Sequence, residues 1–336
     1  MQGTRAALGA LAAALLAIAA IGCGGVSGAS GGEGKLTLVA YSTPQEAYQE
    51  IIPAFQKTSA GKGVKFTRSY GASGEQERAV EAGLAADVVA LSLAPDVNKL
   101  VDAGLVDESW DKALYDGFVT NSVVVFEVRK GNPKNIKTWD DLVKPGVDVI
   151  TPNPFTSGGA KWNIMAAYGA QLEQGRSPAD ALDYLNSLFK NVSVLDRSAR
   201  EAGQTFSSGK GDVLIAYENE AITAQQKGED VDYVVPDETI LIENPAAVVS
   251  KAKNPTAAKA FVDFLRSDEA QAIYAGHGYR PVKKSLVNER KFPNPPSLFE
   301  IDRFGGWSKV NDEFFDPSKG TIAQLFQSQG KSTAGG

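Results

Sequence analysis

Four junctions in this sequence place a Ser or Thr, often beside Gly, between a β-type run and the start of an amphipathic helical pattern. Tyr41-Ser42-Thr43-Pro44-Gln45-Glu46 offers Thr43 as a cap, Pro44 at the first helical position and Glu46 to close a capping box. Ser69-Tyr70-Gly71-Ala72-Ser73-Gly74-Glu75-Gln76 repeats the construction with Ser73 and Gln76. Asp196-Arg197-Ser198-Ala199-Arg200-Glu201 repeats it with Ser198 and Glu201. Thr156-Ser157-Gly158-Gly159-Ala160-Lys161-Trp162 opens a further helix with paired glycines, which cost about 0.5–1 kcal/mol each inside a helix. That cost is easier to understand where something must come close to the backbone. Each helix start leaves N–H groups without internal partners and carries about half a positive charge. Aimed at one point, such starts form a site of pure hydrogen-bond donors, whose chemistry is to hold an anion. Any one of them alone reads first as an ordinary cap.

The rest of the inventory excludes most other chemistry. The chain has one Cys (Cys23) and one His (His277), so neither an internal disulfide nor a Cys/His zinc cluster can form, and no metal or cofactor is expected. His277 lies in Gly276-His277-Gly278 and reads as a surface or loop residue. No G-x-S-x-G elbow lies at a strand-to-helix junction and there is no GxxxxGK[ST] loop, so a hydrolase triad and a nucleotide site lack support. The remaining catalytic reading makes Ser157 a nucleophile beside Lys161, without a His base; the expected class is a binding protein, not an enzyme. The net charge of −6, with no Lys/Arg run, argues against nucleic acid and requires any anion to be held by a local device.

The elements that must position these junctions follow from periodicity. From Lys35, β-type runs at Leu36–Tyr41, Val64–Tyr70, Val88–Leu93, Ser122–Val128, Val147–Thr151, Val192–Leu195, Asp212–Tyr217 and Val231–Val235 alternate with helical stretches such as Pro44–Gln56, Gly74–Leu84, Asp96–Ala103, Gly158–Gln174 and Ser177–Lys190. This alternation predicts an α/β fold with parallel, helix-covered sheets and ligand sites at strand carboxyl ends. The chain is long enough for two lobes, with Asn121–Arg129 and Ile240–Val249 as the best crossing points. Pro255–His277 reads as a helical pair or one long broken helix, and the tail beyond Ser328 as disordered. At the N-terminus, Arg5 precedes an apolar run from Ala6 to Ile21, shorter than the ~20 residues that span a bilayer. It ends in Ala20-Ile21-Gly22-Cys23, which resembles a bacterial lipobox. Residues 1–23 are therefore expected to be a lipoprotein signal peptide, Cys23 the lipid attachment, and 24–35 a flexible tether.

Longer segments carry a family resemblance. Ser69–Gln76 (SYGASGEQ), Ala86–Leu93 (ADVVALSL), Val125–Lys134 (VFEVRKGNPK), Trp139–Asn163 (WDDLVKPGVDVITPNPFTSGGAKWN), Gly211–Glu220 (GDVLIAYENE) and Phe304–Lys309 (FGGWSK) closely resemble the prokaryotic sulfate- and thiosulfate-binding proteins, over about Leu36 to Phe326. The resemblance implies a two-lobed periplasmic-binding-protein-like fold of type II, with two crossover segments forming the hinge. Lobe 1 would comprise 36–121 and 246–336, and lobe 2 would comprise 122–245. It implies that backbone N–H groups of Ser42, Ser73, Gly158, Gly159 and Ala199, with the Ser157 hydroxyl, hold the ligand, Thr43 replacing Ser42 if the alignment slips by one. The family's remaining donor is an indole N–H; here Tyr217 occupies that position and would supply a phenolic hydroxyl. Lys161 stands where the family's NPKSSGGAR pattern has Arg.

The implied function is extracytoplasmic capture of sulfate, with thiosulfate or another tetrahedral oxyanion as alternative, by a monomer held to the membrane only through its lipid. The partners would be the permease subunits of an ABC importer. A donor-only pocket suits sulfate, which carries no proton at neutral pH, and a carboxylate there would favour phosphate instead. Glu218 and Glu220 are the carboxylates best placed to spoil it.

Overall fold

The computed structural model describes residues 34–333, so the expected signal peptide, the lipid attachment at Cys23 and nearly all of the expected tether lie outside the described residues. The first part of the chain alternates β1 (Lys35–Tyr41), α1 (Gln45–Lys57), β2 (Lys65–Gly71), α2 (Ser73–Glu81), β3 (Val88–Ala90) and α3 (Ala94–Asp102). β1 pairs in parallel with both β2 and β3, so the helices between them cross over the sheet faces. In α1 the helical spacing of Tyr48, Ile51, Ile52 and Phe55 makes one apolar stripe, and that stripe is buried.

The second part runs β4 (Phe118–Arg129), β5 (Val149–Pro152), α4 (Gly158–Glu173), α5 (Pro178–Asn191), β6 (Val192–Asp196), α6 (Ala199–Ser207), β7 (Val213–Tyr217), α7 (Glu218–Gln226), β8 (Val231–Val234) and β9 (Glu238–Val248). There β5 is parallel to both β6 and β7. The strand path is β2-β1-β3-β9-β4-β7-β5-β6. It is not parallel throughout, as the alternation alone suggests: β9 and β4 run antiparallel to each other and to their other neighbours β3 and β7. The reason is their job. β4 carries the chain out of the first part and β9 brings it back, pairing with β4 through Leu241–Pro245 and with β3 through Ala246–Val248. The result is a two-lobed fold of type II whose lobes are joined through these long strands.

The remaining elements are α8 (Pro255–Phe264), α9 (Asp268–Gly276), β10 (Ser297–Phe299), α10 (Gly306–Val310) and α11 (Thr321–Ser328). α8 and α9 pack on the first part of the chain, where Phe261, Val262 and Tyr274 share a core with Leu36, Leu38 and Phe55. The chain from Phe299 onward does not. Ile301, Phe314, Phe315, Ile322 and Phe326 share a core with Trp139, Met165 and Leu185 of the second lobe. The cause is α4, which is apolar on nearly every side and buried from Gly158 to Gln171 apart from Lys161, so it needs a cover on its outer face. The tail also departs from expectation. The Gln329 amide donates to the Asn186 carbonyl at 2.9 Å, and Lys331 Nζ donates to the Val192 carbonyl at 2.9 Å, which docks the segment after α11 against the second lobe.

Candidate functional site

Every junction singled out in the sequence ends a strand of a parallel pair and meets the others at one enclosed cavity between the lobes. The β1–α1 turn contributes Ser42 and Thr43, the β2–α2 turn Ser73, the β5–α4 loop Ser157 and Gly159, the β6–α6 turn Ala199, and the end of β7 Tyr217. Ser73, Gly159 and Ala199 lie in first helical turns, where N–H groups lack a partner one turn back. These three helices, α2, α4 and α6, each have nine residues or more, so each brings a full macrodipole end to the cavity.

Gly158 is the expected residue that does not line the cavity. Its Cα faces the other lobe, where an added Cβ would fall 2.1 Å from Ser92 Oγ and 2.9 Å from Leu93 Cγ. Gly158 is needed so that the lobes can touch. An added Cβ on Gly159 would instead project between Tyr217 and Ala199, 3.5 Å from the Tyr217 ring.

The hydroxyls serve the site rather than the caps in most cases. Thr43 does not cap α1; its hydroxyl is 3.0 Å from the Tyr279 hydroxyl, and Pro44 precedes the first helical residue. Glu46 closes no capping box, because its carboxylate is taken by Arg200 and Lys227. Ser73 likewise caps nothing: its hydroxyl donates to Asp96 at 2.7 Å and accepts the Ser92 N–H at 3.0 Å. Gln76 accepts from the Ser69 hydroxyl. Only Ser198 caps as expected, accepting the Glu201 N–H at 3.1 Å, while the Glu201 carboxylate accepts from Arg197 N rather than from the cap itself.

Around the cavity the buried hydroxyls of Tyr41, Ser92 and Tyr217 make no well-aligned hydrogen bond among the described residues, although Thr43, Thr120 and Tyr279 neighbour the Tyr41 hydroxyl and Asn244 and Ser92 the Tyr217 hydroxyl. Burial pushes the Tyr217 phenol well above its ordinary range, so it remains a donor at any working pH. A buried orphan hydroxyl costs stability unless something completes it. No Asp, Glu, Lys or Arg lines the cavity.

The carboxylates are kept a layer back. Glu218 forms a buried pair with Arg280 at 2.7 Å. Glu220, pushed up to about 6 by burial against the pull of Arg200, sits 3.5 Å from that guanidinium. The nearest carboxylate by hydrogen bonding is one the sequence did not flag, Asp96 behind Ser73. Lys161 also stays out: burial pulls it down to about 8, and its ammonium donates to Asn311 at 2.9 Å rather than to Ser157. A Ser157–Lys161 nucleophile pair is therefore not assembled.

The lobes are in contact across the site. The Gly74 N–H of α2 donates to the Thr156 carbonyl at 3.2 Å, and Trp162 Nε1 of α4 donates to the Ser92 carbonyl at 2.9 Å. Two arginines flanking Ala199 reach across: Arg197 to Glu75 at 2.7 Å, and Arg200 to Glu46 at 2.6 Å and to the Thr43 carbonyl at 3.0 Å. Tyr41, Ser92, Arg197 and Arg200 are contributors that cap and strand patterns do not single out. Ser92 had a signal, because Leu91-Ser92-Leu93 follows β3 just before α3, another strand-to-helix junction.

Comparison with known proteins gives a consistent picture. The model of the bacterial extracellular solute-binding protein family matches residues 36–280. A sulfate-binding protein of Synechococcus elongatus is 45% identical over 292 residues, covering 84% of this chain and 83% of its own. A thiosulfate-binding protein of Pseudomonas aeruginosa is 37% identical, covering 82% of this chain and 88% of its own. Among solved structures, the sulfate-binding protein SubI of Mycobacterium tuberculosis superposes with a TM-score of 0.82 at 44% identity, over 84% of this chain and 99% of that one.

Proposed function

Because the chain belongs to the sulfate- and thiosulfate-binding family of bacterial extracellular solute-binding proteins, we propose that it captures sulfate outside the cytoplasm and hands it to the permease subunits of an ABC importer. The observation that carries this reading is the cavity itself, walled from both lobes by uncharged donors, with orphaned hydroxyls and no charged side chain. The ligand-holding groups are the main-chain N–H groups of Ser42 or Thr43, Ser73, Gly158, Gly159 and Ala199, with the hydroxyls of Ser157 and Tyr217. The Gly158 N–H belongs to this set even though its Cα faces the opposite lobe.

The energetics favour a dianion without protons. Hydrogen bonds to an ion contribute about 1.5–3 kcal/mol each, and micromolar affinity needs about 8 kcal/mol. A handful of such bonds therefore suffices after ordering and desolvation. No carboxylate lines the wall to accept strongly from a P–OH group, so sulfate is preferred over phosphate. Thiosulfate is the competing ligand, since a thiosulfate-binding relative is 37% identical, but the sulfate-binding relative is closer at 45%.

Closure follows from the same geometry. An anion seated on α4 and α6 of one lobe completes the donor set of α2 and the β1–α1 turn of the other, so ligand stabilises the closed state over the open one. At the N-terminus, cleavage before Cys23 and lipidation of its thiol would tether the protein to the outer face of the membrane, and mass spectrometry of the mature N-terminus tests this. The function is tested by calorimetric titration of the mature protein with sulfate, thiosulfate, molybdate and phosphate. Sulfate is expected to bind tightest, at micromolar Kd or below. Tight phosphate binding with no response to sulfate would overturn the reading.

A further inference from the structure

A second pocket lies between α6 and α7, with a volume of about 290 Å³, close to the ~300 Å³ at which small-ligand sites begin. β4 supplies Glu127 to its wall. That residue is 2% exposed, yet its carboxyl makes no hydrogen bond or ion pair among the described residues. Its oxygens are not sealed from solvent as the Tyr217 hydroxyl is, and the surface left to them opens into the pocket. A buried carboxyl without a partner is costly, and folds rarely keep one that nothing completes.

The charges around it do not complete it. Arg200 holds the Glu46 carboxylate with two N–H groups, at 2.7 and 2.6 Å, and Lys227 donates to the same carboxylate at 2.6 Å. Only a 3.5 Å contact remains between Arg200 and Glu220. Arg129, two residues along β4, is spent on the Phe206, Lys210 and Gly211 carbonyls and does not line the pocket. Glu229 accepts from the Ser207 hydroxyl. The carboxyl groups of Glu46, Glu127, Glu220 and Glu229 thus share only the cations of Arg200 and Lys227. Burial, with Glu220 and Glu229 adding to it, pushes Glu127 up to about 8, and burial pushes Glu220 up to about 6. Both groups lack positive charge.

From the unpartnered Glu127 carboxyl facing this pocket, the geometry points to a binding site for a short aliphatic ammonium ion. Its N–H donors lie between Glu127 and Glu220, and its alkyl stem lies beside Gly203 and Ala224 on the wall. A bare metal ion lacks its ligands there, because no three acidic side chains among the described residues are gathered as a metal site. The site is separate from the donor-walled cavity and does not depend on which anion that cavity holds.

Butylammonium and 1-butanol make a clean pair of probes, since they share an alkyl stem and nearly the same shape and differ in charge. Both are titrated calorimetrically into the mature protein in potassium chloride at fixed ionic strength. The pH is held at about 8.5, where an alkyl ammonium keeps its proton and Glu127 has lost most of its own. Butylammonium is expected to bind about tenfold or more tighter than butanol. Glu127→Gln and Glu220→Gln are each expected to weaken it about tenfold while leaving butanol unchanged, with thermal unfolding of each variant reporting that it folds. Either variant serves if the other does not fold, and the wild-type comparison decides if neither does. Butanol binding as tightly as butylammonium overturns the inference. So does an absence of butylammonium binding, or full binding retained in a folded variant; the pocket then holds only solvent.

Discussion

The donor-walled cavity between the lobes and the pocket beside α6 and α7 lie on two sides of one short helix, yet their chemistry is inverted. The first is walled by Ser42, Ser73, Ser157, Gly159, Ala199 and Tyr217 without a formal charge. The second, of about 290 Å³, holds Glu127, Arg200, Glu220, Lys227 and Glu229. The N-terminus of α6 faces one and its flank the other. The contrast teaches where charge is tolerated. A cation on the anion's wall would hold it strongly but bring its own desolvation cost, whereas main-chain dipoles are fixed by the helices and need no reorganisation. Two of the pocket's cations instead join the lobes: Arg200 reads Glu46 and the Thr43 carbonyl together, and Lys227 also donates to Glu46.

The sharpest way to break this comparison is to remove a donor from the uncharged wall. Gly159→Pro deletes one first-turn N–H where proline is otherwise tolerated, and is expected to weaken sulfate binding by about a hundredfold or more in calorimetry. An unchanged affinity would place the anion elsewhere. Gly158→Ala should follow, because its Cβ would meet Ser92 Oγ at 2.1 Å and prevent the lobes from seating. About tenfold weaker binding is expected, with a smaller ligand-induced change in the scattering radius, whereas donor loss alone would leave that change intact. Tyr217→Phe removes one neutral donor, and should cost several-fold to about tenfold in affinity.

The charged pocket should answer to pH instead. Burial pushes Glu127 up to about 8 from an ordinary 4.5, and neighbouring Glu220 and Glu229 add to it. Between those values the folded state holds a proton that the unfolded chain releases, so stability falls as pH rises, by up to roughly 1 kcal/mol per pH unit. Glu127→Gln is expected to flatten the decline of Tm between pH 5 and 8 while changing sulfate affinity little. A Tm profile identical to wild type would show that the carboxyl ionises freely.

Much of the site is legible in the sequence because it is built from local junctions. Ser73, Gly159 and Ala199 are marked by a strand end, a small or hydroxyl residue and a helix start, all within a few positions. Glu46 and Gln76 show the limit: their spacing fits capping boxes, but partners from elsewhere in the fold claim both side chains. Gly158 looks like its neighbour in sequence and differs only because the opposite lobe presses on it. The C-terminal cover of α4 is invisible for a related reason. Apolar residues at Phe314, Phe315 and Phe326 announce burial, but nothing in their spacing says which lobe needs them.

The measurement that bears most directly on the central claim is a crystal structure of the mature protein with sulfate bound. Sulfate oxygens should lie within hydrogen-bonding distance of the first-turn amides of α2, α4 and α6 and of the Tyr217 hydroxyl, with Arg200 still on Glu46. Sulfate held instead by Arg200 and Lys227, or any ammonium or guanidinium touching it, would contradict the account.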